Sequence, residues 1–199
     1  SAGWASNYLA TGAASVYFQA TSDGSHRFYV VASGSGGADA SSAILERFRV
    51  SAESVSTPTA GTSNVRLGVN AGNSIASGGN YNTVVGDEAG TAITTGDYNV
   101  AVGYDALTVD TLGANSVAIG AFALRDQNFT SATNTYNVGV GYEAGGSITT
   151  GINNTLIGGL AGDALTGNGF DGSGNRVAGA DGNTAAGYLA LTSDTKGNN

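Results

Sequence analysis

The chain of 199 residues contains 33 glycines, one proline and no cysteine, and its 15 acidic and 7 basic residues give it a formal net charge of −8. Glycine does not recur at every third position, which excludes collagen, and the apolar residues, 41% of the total, return at fixed intervals, which argues against disorder. The acidic balance argues against nucleic acid or an anionic membrane as a partner. No apolar run approaches the ~20 residues that span a bilayer, so we expect no membrane insertion.

The first 55 residues are predicted to form a small antiparallel β domain. Three segments, 15–20, 26–32 and 44–50, are rich in apolar and β-branched residues, and Ser-Asp-Gly-Ser between the first two is typical of a hairpin turn. The single histidine, His26, lies in the second segment and is interpreted as structural. Residues 56–63, which include Pro58, are predicted to be a linker.

A repeat occupies residues 64–199. Its core reads Asn-x-x-apolar-Gly-x-x-Ala-(Gly or Leu), with serine in place of asparagine in the fourth copy, and we number its seven copies coil 1 to coil 7. The glycines of this core, here called the anchor glycines, are Gly68, Gly86, Gly103, Gly120, Gly141, Gly158 and Gly187. The alanines three residues later are Ala71, Ala89, Ala106, Ala123, Ala144, Ala161 and Ala190. The usual spacing of 17 or 18 residues predicts a repeat architecture.

Each core position has a physical interpretation. The residues before the anchor glycine are mostly β-branched or small and suit a short strand, and the glycine permits the sharp turn that follows. The alanine indicates a place with room for only a methyl group, and the asparagine predicts either an Asx turn or a hydrogen-bonded ladder between coils. Because a lone coil cannot bury its apolar face, the copies must stack. We therefore predict an all-β fold: a β-solenoid or β-roll of about seven 17–18-residue coils, with two short strands in each.

Two copies carry insertions, at residues 125–135 and 163–182, which we expect to project from one face of the solenoid. Aromatic and polar residues on such loops are candidates for binding a receptor. The candidates are Asp126, Gln127, Asn128, Phe129, Phe170, Asp171 and Asn175. Residues 195–199 look like the start of another repeat, which leads us to expect that the natural protein continues.

The remaining chemistry is sparse. Asp87 and Glu88 could form a glycosidase-like carboxylate pair, but other copies vary at these positions, so a solvated coil edge is the better interpretation. Residues 171–175 only faintly resemble a calcium loop, because no bidentate glutamate closes it. Tyr104, Tyr142 and Tyr188 share one repeat position and predict either a stacked aromatic row or an exposed strip for sugars. We predict no enzyme activity, no cofactor and no metal.

The repeat resembles the glycine- and asparagine-rich repeats of bacteriophage tail-fibre shafts, through residues 99–107 and 154–162. It is also similar to the head repeats of trimeric autotransporter adhesins, through residues 115–120. Adhesin heads usually repeat near 14 residues and lack the Gly-x-x-Ala step, so the period here favours the phage resemblance. Both resemblances imply a homotrimer outside the cell, on a virion or on a bacterial surface. Whether the coils close within one chain or are shared by three stays open.

Four functional hypotheses follow. The first is a trimeric tail-fibre segment that supports host attachment, with a host-surface glycan or protein receptor as a partner besides its own copies. The second is the head of a bacterial trimeric adhesin, and the third is a tailspike that binds or cleaves polysaccharide. Ice binding is the fourth, and it is disfavoured because the threonines do not form a continuous Thr-x-Thr face.

Overall fold

The structure is a computed structural model in which strands between residues 14 and 56, and then residues 60–165 and 181–192, are described. This part of the chain is all-β and contains no helix, and therefore no helix long and apolar enough to cross a membrane. The chain divides into two units, Ser1–Pro58 and Thr59–Asn199, which are described separately below.

Four strands are described in the first unit: β1 (Ala14–Gln19), β2 (His26–Val31), β3 (Ile44–Val50) and β4 (Val55–Ser56). They pair antiparallel in chain order, and the register of β2 against β3 shifts between Phe28 and Tyr29. The small independent domain expected for residues 1–55 stays a prediction.

The second unit contains nine short strands: β5 (Val65–Leu67), β6 (Thr83–Val85), β7 (Val100–Val102), β8 (Gly113–Ala114), β9 (Val117–Ile119), β10 (Thr133–Asn134), β11 (Val138–Val140), β12 (Thr155–Ile157) and β13 (Thr184–Ala186). Seven of them, one from each coil, form a parallel sheet in the order β13-β12-β11-β9-β7-β6-β5. Equivalent repeat positions lie opposite each other, as Val84 and Ala101 do. The predicted β-solenoid is confirmed by these stacked parallel coils.

From β5 to β12 the solenoid makes five complete turns whose residues are all described. The return from β12 to β13 passes through residues 166–180, which lie outside the described residues. The prediction of two strands in each coil is wrong for most described coils. In the described coils, only β8 and β10 form a second, two-residue parallel pair, because the other described return paths contain turns and bends instead of strands.

The stack of coils begins before coil 1. The backbone N–H of Thr62 donates to Asn80 Oδ1 over 2.9 Å, and its carbonyl accepts from the N–H of Tyr81 over 2.9 Å. The hydrogen bonds of the solenoid therefore already start within residues 56–63, the predicted linker.

Alanines and larger aliphatic side chains together fill the centre of the solenoid. The repeat alanines of coils 1 to 6 are at most 1% exposed, and Ala190 is partly buried against the same core. In β6, β7, β9 and β12 the middle residue points inward, and Val84, Ala101, Ala118 and Leu156 are fully buried there. A larger residue in place of an alanine would overpack a core that already holds its neighbours at contact distance.

The turn after each strand uses the anchor glycine. All seven anchor glycines have φ between 127° and 138°, a region that only glycine adopts readily. At Gly103 an added Cβ would also lie only 2.6 Å from the carbonyl carbon of Gly120 in the next coil. The glycine therefore meets two demands, a backbone angle and a close approach between coils.

Three more positions of each coil adopt the left-handed conformation without needing glycine. One of them directly precedes the first residue of each coil, and it is occupied by Ser63, Tyr81, Tyr98, Asn115, Tyr136, Asn153 and Gly182, with φ of 50–71°. The others lie two and four residues after the anchor glycine, as Glu88 and Leu107 show with φ of 58° and 52°. Such angles are uncommon for side-chain-bearing residues, so the stacked coils impose them.

A ladder of buried residues, mostly asparagines, runs through the coils at the position directly before each strand of the parallel sheet. The first residues of all seven coils are buried: Asn64, Asn82, Asn99, Ser116, Asn137, Asn154 and Asn183. The backbone N–H of Asn99 donates to Asn82 Oδ1 over 2.9 Å, and Asn82 Nδ2 donates to the carbonyl of Gly96 over 2.8 Å. Of the two sequence interpretations, the structure therefore shows the ladder, which satisfies buried backbone groups in successive coils.

Candidate functional site

The predicted binding loop at residues 125–135 is partly buried. Gln127 is fully buried and Phe129 is only 5% exposed, so the expectation that both project to a receptor is wrong. Asn128 is exposed, and Asp126 is half-buried in an ion pair in which its Oδ1 lies 2.8 Å from Arg125 Nε. Gln127 and Phe129 are therefore part of the coil wall, whereas residues 130–132 and Asn134 are exposed. Phe170, Asp171 and Asn175 lie outside the described residues.

Gln127 is buried because it keeps the repeat register. It lies seven residues after its anchor glycine, where coils 1, 2, 5 and 6 hold a buried Ile or Leu: Ile75, Ile93, Ile148 and Leu165. In coils 3 and 4 that position is polar, Asp110 and Gln127, and Gln127 Nε2 donates to Asp110 Oδ2 over 2.5 Å. The extra residues of coil 4 follow this position, so the segment is an extension of a normal coil rather than a separate loop.

The position four residues after the anchor glycine differs between the same two groups of coils, and it compensates for the loss of Ile or Leu at the seventh position. Coils with Ile or Leu at the seventh position carry glycine four residues after the anchor, and at Gly90 an added Cβ would lie 2.9 Å from Ile93 Cδ1. Coils 3 and 4 carry Leu107 and Leu124 there instead, both fully buried. In coils 3 and 4, leucine four residues after the anchor glycine thus takes the place in the core of the Ile or Leu seven residues after it. The seventh position is then free for the polar pair Asp110 and Gln127.

Asp110 and Gln127 belong to a closed polar cluster. Asp110 Oδ1 accepts from the backbone N–H groups of Gly113 and Phe129 over 3.1 and 3.0 Å. Gln127 Nε2 also donates to Ser116 Oγ over 2.8 Å, and Gln127 Oε1 accepts from Asn137 Nδ2 over 2.8 Å. Ser116 replaces the ladder asparagine of coil 4, and the N–H of Asn137 donates to Thr135 Oγ1 over 3.5 Å instead, while Gln127 binds the side-chain amide of Asn137. The cluster is structural, since its members are buried from solvent.

The buried carboxyl group makes stability depend on pH. Burial raises the pKa of Asp110 above its ordinary value of 3.8, against the opposing effect of its hydrogen bonds from Phe129, Gln127 and Gly113. Because the folded protein then binds this proton more tightly than the unfolded chain, the contribution of Asp110 to stability is highest at low pH. It decreases as pH rises from about 3.8 through the raised pKa, and it is constant above that.

We therefore expect the free energy of unfolding of the native protein, relative to that of Asp110→Asn, to decrease as pH rises through this interval. Asparagine cannot ionise, yet its Oδ1 can still accept from the two backbone N–H groups. Urea denaturation of both proteins between pH 3 and 7 measures the difference, in which the titration of all other carboxyl groups cancels. Parallel pH profiles would show that the carboxyl group of Asp110 does not titrate as its burial requires.

The carboxylates Asp87 and Glu88 lie on the edge of coil 2. Asp87 is exposed, while Glu88 Oε1 accepts from Asn70 Nδ2 over 2.6 Å and Glu88 Oε2 accepts from Thr91 Oγ1 over 3.1 Å. Glu88 therefore takes part in the contacts between coils 1 and 2. This placement agrees with the interpretation as a coil edge rather than a catalytic pair.

Aromatic side chains lie at both ends of the strands. After the anchor glycines, Tyr104 and Tyr142 are half-exposed and both contact the ring of Phe122 edge to face, at centroid distances of 5.3 and 5.8 Å. Tyr188 is 73% exposed. A second row precedes the ladder, where Tyr81 and Tyr98 stack at 5.0 Å with an interplanar angle of 7°. The sequence interpretation missed this second row, although its period equals that of the ladder asparagine beside it.

The outward face of the parallel sheet is apolar. Of its 14 outward positions, the first and third residues of seven strands, ten are Val, Leu or Ile and none is charged. Leu67, Ile119 and Ile157 are 66%, 40% and 47% exposed. At ~4.8 Å between strands, the face is about 29 Å long. An exposed, continuous apolar strip of this kind is typical of an interaction surface.

The fold defines the chain as a β-solenoid repeat protein. Comparison with protein-family models, curated proteins and solved structures gives no match.

Proposed function

We propose that this chain is a structural segment of a homotrimeric extracellular fibre of the bacteriophage tail-fibre type, which supports attachment to a host cell. The observation that carries the proposal is the apolar outward face of the seven-stranded sheet. It runs the whole length of the described coils, as the contact surface of a fibre must.

Copies of the same chain are the partner that best fits this face. The chain carries a formal net charge of −8, so two copies repel each other through most of their surfaces. The outward positions of the sheet carry no charge and can meet across a symmetry axis without that repulsion. The number three comes from the resemblance to tail-fibre and adhesin repeats, and a fibre of this kind would act as a rigid spacer.

The test is the mass in solution, with a charge placed on the outward face. We expect the native chain to have three times the monomer mass in analytical ultracentrifugation. Val102→Glu should shift dissociation to at least about 100-fold higher concentration, because an unpaired carboxylate buried in an interface costs several kcal/mol. Val102 is the outward third residue of β7 and is half-buried in the single chain.

Ser77→Glu is the matched control, since Ser77 is exposed outside the strands and gains the same charge. Its mass should stay that of the native protein, and far-ultraviolet circular dichroism should show that both variants keep their fold. A native chain that is monomeric at all concentrations would refute the trimer, as would an equal loss of association in Ser77→Glu.

A further inference from the structure

At the outer edge of β13, the described part of the chain leaves one buried polar atom without a hydrogen-bond partner. In other coils the ladder asparagine accepts from the next coil, as Asn64 Oδ1 does from the N–H of Asn82 over 2.8 Å and Asn154 Oδ1 from the N–H of Asn183 over 3.0 Å. Asn183 is itself only 2% exposed, and its Oδ1 has no hydrogen-bond partner among the residues that the structure describes. A buried acceptor left in this state costs about 1–3 kcal/mol.

Within the described coils, the anchor glycine of the same coil, Gly187, also lacks the neighbour that the other anchor glycines contact. In coils 1 to 6, a Cβ on the anchor glycine would collide with the carbonyl group of the next anchor glycine. At Gly187 the same Cβ would meet no atom of residues 60–165 or 181–192 within 4 Å. Gly187 nevertheless keeps a φ of 127°, so coil 7 has the backbone that every other coil uses to receive a neighbour.

The sequence of coil 7 indicates which neighbour fits. Residues 183–199 are identical to residues 99–115 of coil 3 at 11 of 17 positions, including aspartate seven residues after the anchor glycine, Asp110 in coil 3 and Asp194 in coil 7. In coil 3, the next coil places Gln127 and the N–H of Phe129 on that aspartate. Asp194 itself lies outside the described residues.

We propose that the outer edge of β13 is a docking site for one further coil with the pattern of coil 4. Such a coil donates a backbone N–H to Asn183 Oδ1 and places its anchor glycine against Gly187. This is strand addition to a sheet edge, with affinity from main-chain hydrogen bonds and specificity from the ladder and the glycine. The inference does not depend on the proposed trimer.

The experiment supplies that coil in register. A copy of residues 116–136 fused after Asn199 places its serine where Ser116 follows Asn115, and its anchor glycine 17 positions after Gly187. We expect hydrogen–deuterium exchange of the β13 amides to slow by at least tenfold relative to the unextended chain. In the extended chain Gly187→Ala should also abolish this protection, because the added Cβ would meet the new glycine.

The control extension carries one additional glycine between Asn199 and the copy, which shifts its register by one residue. Equal protection from both extensions, or protection from neither, would overturn the proposal. The proposal would also fail if the β13 amides are already protected in the unextended chain and lose that protection when residues 193–199 are deleted, since the edge would then be covered by the chain's own end. Oligomeric mass is not part of this measurement, so its result is distinct from the trimer test.

Discussion

Gly103→Ala should destabilise the solenoid by about 3–5 kcal/mol, among the largest effects of any single substitution in the described coils. Two costs add at this position. A φ of 135° strains any residue with a Cβ by about 1–3 kcal/mol, and the new methyl group would lie 2.6 Å from the carbonyl carbon of Gly120. The neighbouring atoms are backbone held by the sheet, so coils 3 and 4 must separate. Urea denaturation followed by far-ultraviolet circular dichroism measures the loss.

Gly187→Ala is the matched control for this substitution. Gly187 has nearly the same φ, 127°, but an added Cβ there meets no atom of the described coils within 4 Å. We expect it to cost only the backbone strain, about 1–3 kcal/mol, and less than Gly103→Ala. If the two variants lose the same free energy, the close approach between coils contributes nothing and the conformational argument alone explains the glycine.

The stacking of the coils could be predicted from the sequence because one physical demand recurs in every coil. A position such as that of Ala106 or Gly103 faces the same neighbouring atoms in each turn, so the same small residue returns at each repeat. The sequence period therefore predicts the parallel sheet and its register. It also predicts the ladder, since a side chain that both donates and accepts hydrogen bonds is needed at one place in each coil.

The burial of Gln127 and Phe129 could not be predicted from the sequence period. The longer spacing between Gly120 and Gly141 indicates extra residues, but it does not indicate where they leave the coil. The missing signal is a correlation between two positions: leucine four residues after the anchor glycine accompanies a polar residue seven after it. Phe129 then follows Gln127 into the coil wall, where its N–H binds Asp110.

The sequence also does not indicate how many residues with side chains adopt the left-handed backbone conformation in the turns. Glycine was expected to supply the left-handed backbone, yet Tyr81, Glu88 and Leu107 adopt it too. Residue type gives no sign of this, because the neighbouring coils impose the angle through their hydrogen bonds. Once one coil turns in this way, the N–H groups of the next coil find their acceptors only with the same angles, as the bond from the N–H of Tyr98 to the carbonyl of Asn80 shows.

The second large effect is expected at the ladder, where Asn82→Ala should cost about 2–6 kcal/mol. The side chain of Asn82 is fully buried and connects two coils: its Oδ1 accepts from the N–H of Asn99, and its Nδ2 donates to the carbonyl of Gly96. Alanine leaves this donor and this acceptor buried without partners, at about 1–3 kcal/mol each.

Asn73→Ala is the control, because Asn73 is exposed and its side chain accepts only a 3.3 Å bond from Ser74 Oγ. Its free energy of unfolding should stay within about 0.5 kcal/mol of the native value. Hydrogen exchange locates the damage in Asn82→Ala: the amide of Asn99 should lose its protection first, since its acceptor is gone. Retained protection at Asn99, or an equal loss of stability in Asn73→Ala, would mean that the ladder does not stabilise the stack and that the apolar core alone holds the coils together.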